Sequence, residues 1–335
     1  MTQPFPFSAI VGQEDMKLAV ILTAIDPSIG GVLIFGDRGT GKSTAIRALA
    51  GLMPPIERVK SCPYNSPNIK TRPGFADPLE DSIEKVPTPV VDLPLGVTED
   101  RVVGALDIER ALTKGEKHFE PGLLARAHRG YLYIDEVNLL EDHIVDLLLD
   151  VAASGENVVE REGLSIRHPS KFVLVGSGNP EEGELRPQLL DRFGLSVDVR
   201  TPNSIKDRIE VIRRRDAFES DHKNFMRKWR AADTRMRKAI LKARETRLEV
   251  ESSDTVLEDC ARLCLAIGAD GLRGELTLLR AARALAAYED ATVLGRKHIL
   301  SVAPSVLRHR LRRDPLDEAG SDQRIAKVIA DVFNS

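Results

Sequence analysis

The sequence is poor in cysteine and in long apolar runs. Its three cysteines, Cys62, Cys260 and Cys264, are too few for a disulfide framework. Cys260 and Cys264 are four residues apart in a helical pattern, and we expect buried thiols there because no further ligand is spaced to complete a metal site. No apolar stretch approaches the length of a membrane-spanning helix, and the first residues do not resemble a signal peptide. These absences predict a cytoplasmic, reduced protein without a membrane span.

The sequence also lacks a large excess of positive or negative charge. The 335 residues carry a formal net charge of −3, so the chain has no global basic field that would attract nucleic acid. We therefore expect no nucleic-acid partner. Hydrophobic residues make up 42% of the chain, which is enough for buried cores, and the length suggests two domains.

What the sequence does contain is a complete phosphate-binding loop of the form Gly-x-x-x-x-Gly-Lys-Ser. An apolar run at 32–35 precedes it and a helical pattern follows it, so a chance glycine-rich turn is disfavoured. Glycines let backbone N–H groups point at phosphates, where the helix N-terminus adds partial positive charge. We expect Lys42 to bind the β- and γ-phosphates of ATP and the Ser43 hydroxyl to ligate Mg²⁺. The predicted nucleotide contacts are Gly36, Asp37, Arg38, Gly39, Thr40, Gly41, Lys42, Ser43 and Thr44.

A pair of acidic residues follows a second apolar run. The run at 131–134 has the pattern of a buried strand, and Asp135 and Glu136 come directly after it. Asp135 would hold Mg²⁺ through water, and Glu136 would polarise the attacking water as general base. Acids are common at strand ends, but after a phosphate-binding loop this pair predicts the second element of a site for phosphate hydrolysis.

Two further polar residues stand where a hydrolase would need them. Asn179 follows the strand predicted at 172–176, and its amide could hold the attacking water; simple turn chemistry is the alternative. Arg192 is flanked by apolar residues. It could act as a finger on the nucleotide of a neighbouring subunit, or form a surface ion pair with Asp191.

The periodicity of the sequence changes along the chain. Up to Pro202, apolar runs alternate with helical patterns, as a parallel α/β sheet requires. Prolines recur between 54 and 94, which predicts loops and short edge strands there, and a helix is predicted over 104–114. Beyond Pro202 the pattern is helical to the end. We expect an α/β domain and then an all-helical region, with the boundary between 200 and 250.

This set of motifs resembles the AAA+ ATPases. In that family the segment matching 10–13 lies on the adenine side, Asn179 matches the first sensor and Arg192 the finger. Arg273, within 271–276, matches the second sensor, an arginine that opens a lid helix and reaches a phosphate. The resemblance implies a P-loop NTPase core with a parallel sheet and β-hairpin insertions, followed by an all-helical carboxy-terminal lid.

Further segments narrow the resemblance to the magnesium chelatase branch, and it runs from about residue 7 to residue 320 with a weaker stretch at 60–88. A helix-2 insertion is expected at about 88–125 and a pre-sensor-1 hairpin at about 157–168. The segments that most resemble the ATPase subunits of magnesium chelatase lie at 175–183 and 311–320. The implied division of the chain is an AAA+ domain at 1–203, a long charged helical linker at 204–247 and a helical lid at 248–335.

The function implied by the resemblance is that of an ATP-driven motor subunit. In the family such subunits form rings, often hexamers, and work with an AAA+-like subunit that bears an integrin-type metal-binding domain. A large third subunit binds protoporphyrin IX, and ATP hydrolysis drives Mg²⁺ into it on the route to chlorophyll or bacteriochlorophyll. The sequence itself contains one tryptophan, Trp229, and seven scattered histidines. We therefore assign it no porphyrin pocket and no chelation site.

Two alternative functions stay open from the sequence. A hexameric helicase is favoured by the basic run at 308–313 and the charged segment at 204–247, and opposed by the net charge and the lack of a base-stacking module. A MoxR-like chaperone ATPase would remodel protein partners without chelation, and the segment at 311–320 argues against it. DNA binding at low salt would distinguish the helicase, and the identity of native partners would distinguish the chaperone.

Overall fold

A computed structural model describes residues 4–36, 39–76, 79–107, 113, 118–161, 164–179, 185, 187–269, 271–311 and 321–334. The strands in this part of the chain are β1 (Gly31–Gly36), β2 (Ile56–Val59), β3 (Ile83–Val86), β4 (Val90–Leu93), β5 (Gly104–Leu106), β6 (Phe119–Pro121), β7 (Tyr131–Ile134), β8 (Glu156–Arg161), β9 (Leu164–Pro169), β10 (Val173–Gly178) and β11 (Phe193–Val199). The described α-helices are α1 (Glu14–Ile25), α2 (Lys42–Leu52), α3 (Glu99–Val103), α4 (Leu123–Ala127), α5 (Asp142–Ser154), α6 (Pro187–Arg192), α7 (Ile205–Ser220), α8 (His222–Thr246), α9 (Asp254–Ile267), α10 (Arg273–Tyr288), α11 (Arg296–Leu307) and α12 (Ser321–Asn334).

Five strands form one parallel sheet in the order β11-β1-β10-β7-β4. Most of their side chains are buried, as expected for a parallel sheet that helices cover on both faces. Because all five strands run in the same direction, their carboxyl ends share one edge and their amino ends share the other. The predicted α/β class is confirmed, and this polarity decides where each candidate residue lies.

The charged segment after the sheet folds into two helices. Ser204 caps α7 by accepting a hydrogen bond from the backbone N–H of Asp207 at 3.4 Å, and Asp221 caps α8 by accepting one from that of Asn224 at 3.0 Å. Such side-chain caps satisfy N–H groups that have no partner inside the helix. A cap at Asp221 therefore separates α7 from α8, and the helical prediction for this segment is confirmed.

The carboxy-terminal helices pack onto the sheet domain without a break in the core. One cluster of buried side chains runs from α1 and β1 through Ile240 of α8 to Leu278 of α10 and Ile299 of α11. Burial of apolar surface is the dominant favourable term in such packing. The helical region is thus held firmly against the sheet, while the division of the chain into three domains stays a prediction.

Within the described residues, three antiparallel strand pairs accompany the parallel sheet: β2 with β3, β5 with β6, and β8 with β9. Strands β8 and β9 pair in antiparallel fashion from Glu156↔Pro169 to Arg161↔Leu164; this confirms the predicted hairpin, and its turn at 162–163 lies outside the described residues. The helix predicted over 104–114 is wrong at its start, because 104–106 form β5, which pairs with β6. Gly104 adopts a φ of 103°, which ends α3 and turns the chain into the strand.

Candidate nucleotide-binding site

The phosphate-binding loop leaves the carboxyl end of β1 and leads into α2. At Gly36 a Cβ atom would lie 2.1 Å from the carbonyl oxygen of Val199, so only glycine lets β1 run this close to β11. Gly39 and Gly41 have φ angles of 80° and 83°, a conformation that suits glycine. Helix α2 then starts at Lys42. Asp37 and Arg38, two of the predicted contacts, lie outside the described residues.

Two side chains hold the loop in shape. The Lys42 Nζ atom donates a hydrogen bond to the carbonyl oxygen of Gly36, at the opposite end of the loop. The amide of Gln13 donates to the carbonyl oxygen of Thr40 at 2.6 Å. Gln13 belongs to the segment expected on the adenine side, so the structure brings that segment against the loop.

The acidic pair lies on the neighbouring part of the same edge. Asp135 and Glu136 follow β7, and the hydroxyl of Ser177 on β10 donates a hydrogen bond to Asp135 Oδ1 at 2.5 Å. The same Ser177 oxygen accepts a hydrogen bond from the backbone N–H of Glu136 at 3.3 Å. Glu136 has a φ of 55°, which is rare for residues other than glycine and is typical of strained functional positions. Ser177 therefore holds both acidic residues in place.

Tyr133 completes this hydrogen-bond network from inside the sheet. Its hydroxyl lies 3.1 Å from Asp135 Oδ1 and 3.1 Å from Ser177 Oγ. Burial raises the pKa of the Tyr133 hydroxyl, so the group keeps its proton and remains a hydrogen-bond donor. Sequence reasoning missed Ser177 and Tyr133, although the twofold period of a strand places Tyr133 on the same side as Asp135.

An open cleft of ≈ 640 Å³ joins these elements. Its lining includes the loop residues from Gly39 onward, the acidic pair and Asn179, which follows β10. The full lining is Gly39, Thr40, Gly41, Lys42, Ser43, Thr44, Tyr133, Asp135, Glu136, Ser177, Gly178 and Asn179. Ligand sites in open parallel sheets lie at this carboxyl edge. The cleft therefore brings together all the described site residues that the sequence predicted, apart from Gly36, Arg192 and Arg273. Gly36 lies next to the cleft, at the carboxyl end of β1.

Arg192 lies at the other edge of the sheet. It ends α6 directly before Phe193, the first residue of β11, and Phe193 pairs with Gly31 at the start of β1. A strand rises about 3.3 Å per residue, so the two ends of the six-residue β1 lie roughly 17 Å apart. The exposed Arg192 donates a hydrogen bond to the carbonyl oxygen of Leu149 at 3.5 Å. Arg192 is therefore remote from the phosphate-binding loop of its own chain.

Arg273 lies at that same remote edge. It is exposed at the start of α10, and a Cβ atom on the next residue, Gly274, would lie 3.8 Å from Cδ of Arg310. The Arg310 guanidinium in turn donates hydrogen bonds to the carbonyl oxygens of Phe193 and Gly194, at the amino end of β11. Both predicted arginines therefore lie near the amino ends of the strands, at the end of the sheet opposite the cleft.

The basic run that favoured a helicase is used internally where it is described. Arg308 forms an ion pair with Asp198 at 3.2 Å and its side chain is only 10% exposed. His309 is half-buried, with its Nε2 atom 2.9 Å from the carbonyl oxygen of Phe193. These side chains attach the helical region to β11, so they do not form a surface for nucleic acid.

Cys260 and Cys264 are buried thiols, as predicted, and Cys62 is buried as well. Burial raises the pKa of Cys260 and of Cys264 to about 12, so neither forms a reactive thiolate near neutral pH. Within the described ranges, no three His, Cys, Asp or Glu side chains are grouped so that they could hold a metal ion. The described helices also include none that is both long and apolar enough to cross a bilayer.

Comparison with known proteins identifies the family. A family profile described as "Magnesium chelatase, subunit ChlI" matches residues 107–188, and a profile for the AAA lid domain matches 257–329. The chain is 69% identical to the magnesium-chelatase 38 kDa subunit of Rhodobacter capsulatus, over 99% of this chain and 95% of that protein. It belongs to the magnesium chelatase subunit ChlI family. The 38 kDa subunit of Cereibacter sphaeroides is 70% identical over 99% of this chain and 100% of its own length.

A solved structure agrees with this ChlI family assignment. The chain is similar to one from a complex between subunits BchI and BchD of magnesium chelatase, based on a single-particle cryo-EM reconstruction. The TM-score is 0.59 with 67% sequence identity, over 96% of this chain and 99% of that chain. The AAA+ α/β fold with a helical lid is thereby confirmed, and neither the helicase nor the MoxR-like chaperone is favoured.

The network around Asp135 yields a first prediction. Ser177→Ala removes the hydroxyl that bonds Asp135 and orients Glu136, and a hydrogen bond to a charged group is worth about 1.5–3 kcal/mol. We expect steady-state ATP hydrolysis to fall roughly tenfold or more, with the fold retained. Ser196→Ala is the matched control, because the Ser196 hydroxyl is buried in the same sheet and has no hydrogen-bond partner among the described residues. Equal activity of the two variants would contradict this role of Ser177.

Proposed function

We propose that this chain is the ATP-hydrolysing motor subunit of a magnesium chelatase, and that its hydrolysis drives Mg²⁺ into protoporphyrin IX held by a separate large subunit. The observation that carries the proposal is the cleft in which Lys42, Asp135, Glu136 and Asn179 meet, in a chain of the ChlI family. In this reaction Mg²⁺ is also the substrate that is inserted, and this chain supplies the driving force.

The cleft fits a nucleotide with its Mg²⁺. Apart from the glycine itself and the residues on either side of it, no described atom lies within 4 Å of a Cβ placed on Gly39 or Gly41, so the loop has room for phosphates. Lys42 would bind the β- and γ-phosphates as a point charge. The Ser43 hydroxyl and the Asp135 carboxylate are oxygen donors, which Mg²⁺ prefers, and Asp135 would act through water. Bound there, Mg²⁺ would neutralise charge that develops on the phosphate oxygens.

Hydrolysis would then depend on two residues that line the cleft, Asn179 and Glu136. Asn179 would hold the attacking water by its side-chain amide. As the water oxygen bonds to the γ-phosphorus, Glu136 would accept a proton from that water. The bond from the γ-phosphorus to the bridging oxygen breaks, which gives ADP and phosphate. Ser177 fixes the backbone of Glu136 and thus the direction of its carboxylate.

The two remote arginines require a second subunit. Since Arg192 and Arg273 lie at the amino edge of the sheet, they cannot reach the cleft of their own chain, and we infer that both act on ATP held by the next subunit of a ring. Guanidinium groups suit charge that is spread over phosphate oxygens. A hexamer is the ring implied by the family resemblance, in which the amino edge of one subunit would face the carboxyl edge of the next.

Other partners follow from the family. The structurally similar chain comes from a complex of two magnesium chelatase subunits, and we propose that this chain likewise assembles with an AAA+-like subunit bearing an integrin-type metal-binding domain. The large porphyrin-binding subunit would complete the enzyme. Neither nucleic acid nor a membrane has a place in this proposal, and a cytoplasmic location stays a prediction.

Reconstitution tests the proposal directly. Mixing the chain with the two partner subunits, protoporphyrin IX, Mg²⁺ and ATP should give magnesium protoporphyrin, which fluorescence detects. Glu136→Gln should bind ATP but lower both hydrolysis and insertion, since losses of a general base are typically ~10²–10⁴-fold. Insertion that proceeds at the wild-type rate with Glu136→Gln, or without ATP, would refute the role of this chain as the motor.

Mixed rings test the action in trans. Arg192→Ala should bind nucleotide in its own cleft yet lose hydrolysis, because removal of a finger costs up to ~10³–10⁵ in rate. Lys42→Ala should also be inactive, because the loop loses its charge. In rings that contain both variants, some clefts join an intact Lys42 to an intact Arg192 of the neighbour, so part of the ATPase activity should return. Mixed rings that form but stay as inactive as either parent would count against action in trans.

A further inference from the structure

The strand that follows Arg192 begins with an irregularity. Phe193 pairs with Gly31 and Leu195 with the next residue, Val32, so Gly194 is an extra residue that opposes none. Such a β-bulge re-aims the groups of the bulged strand, and bulges are frequent next to active sites. Successive carbonyl groups of a regular strand point in opposite directions, but a bulge can turn two of them toward the same side.

Arg310 binds both carbonyl oxygens of this bulge. Its Nη2 atom donates a hydrogen bond to the Phe193 oxygen at 3.0 Å, and its Nη1 atom donates to the Gly194 oxygen at 3.2 Å. Nη1 also bonds the carbonyl oxygen of Val306. The planar fork of a guanidinium suits two acceptors side by side, which a lysine ammonium cannot reproduce. His309 adds a second contact to the Phe193 oxygen, at 2.9 Å.

The other end of the Arg310 side chain lies against the lid helix. A Cβ atom on Gly274 would lie 3.8 Å from Arg310 Cδ and 3.2 Å from Cys264 Sγ, so the aliphatic stem of Arg310 packs beside the first turn of α10. Gly274 is the neighbour of Arg273, and Phe193 is the neighbour of Arg192. A single side chain thus spans from the residue beside one exposed arginine to the residue beside the other.

We propose that Arg310 is a positioning residue that fixes the spacing between Arg192 and Arg273, so that both arginines reach the neighbouring subunit's ATP as one rigid unit. This inference rests on the proposed action in trans. A movement of the lid that displaces α10 would be passed through Arg310 to the start of β11 and so to Arg192. The lid of one subunit would then control hydrolysis in the cleft of the next.

Two variants measure this role. Arg310→Lys keeps the positive charge but cannot bind both carbonyl oxygens, and Arg310→Ala also removes the packing on Gly274. Misplacement of a catalytic group by 1 Å can cost ~10²-fold in rate. We therefore expect kcat for ATP hydrolysis to fall by up to ~10²-fold in Arg310→Ala and by less in Arg310→Lys, while KM and nucleotide binding stay close to wild type.

Mixed rings show whether an Arg310 variant is defective at its amino edge or in its own cleft, and this is the sharper test. Rings of Arg310→Lys with Lys42→Ala should regain activity, because intact clefts then meet intact arginine pairs. Rings of Arg310→Lys with Arg192→Ala should not regain it, since both kinds of subunit carry a defective amino edge. A role of Arg310 in its own cleft, or in general stability, would reverse this pattern or abolish it.

Controls separate a failure of the proposed action in trans from a failure of the positioning role of Arg310. Arg280→Lys is matched, because Arg280 also joins α10 to the sheet domain, by a hydrogen bond to the carbonyl oxygen of Ser28 at 2.7 Å, and we expect wild-type hydrolysis from it. If Arg192→Ala and Lys42→Ala fail to complement each other, the action in trans fails. If those two complement but Arg310→Lys does not complement Lys42→Ala, or if Arg310→Lys behaves like Arg280→Lys, the positioning role of Arg310 is overturned.

Discussion

The common direction of the five strands is the constraint on which the rest of this structure depends. A parallel sheet exposes strand carboxyl ends at one edge, and there the phosphate-binding loop, Asp135, Glu136 and Asn179 converge on one cleft. The same constraint sends Arg192, which precedes β11, to the other edge. A rigid sheet cannot fold back on itself to unite the two sets. Under the proposed action in trans, the chain would therefore carry two parts of a hydrolysis site that a second copy brings together.

The packing of the helical region also keeps Arg273 at the amino edge of the sheet, away from the cleft. Its helices share one apolar core with α1 and β1, and Arg308, His309 and Arg310 attach them to β11. Burial on this scale makes large independent movements of the lid costly. The first turn of α10, which carries Arg273, is consequently held at the amino edge, the edge at which Arg192 also lies. Small shifts of the lid would act on the neighbouring cleft, which offers a physical route for coupling between the subunits of a ring.

Local patterns predicted which side chains line the cleft. The loop from Gly36 to Thr44 and the acidic pair are contiguous in sequence, and the strands that carry them are short apolar runs, so one-dimensional reasoning found them. Ser177 was missed because its contact with Asp135 forms only when β7 pairs with β10. Tyr133 was missed although it lies two residues before Asp135, on the same side of the strand. The position of Arg273 depends on how the lid docks, which no local pattern encodes. The helical pattern over 104–114 gave a wrong prediction at its start, because Gly104 has a positive φ that ends α3 and begins β5.

A structure of the assembled ring would show whether a composite site forms between neighbouring subunits. A cryo-EM reconstruction with a non-hydrolysable ATP analogue and Mg²⁺ would resolve the groups around the γ-phosphate. If the composite site forms, the reconstruction will show Lys42 and Asp135 from one subunit and Arg192 from the next, with the guanidinium within hydrogen-bond distance of a phosphate oxygen. A nucleotide whose phosphates are contacted by residues of its own chain alone, with Arg192 of every subunit still bonded to Leu149, would contradict the proposed composite site.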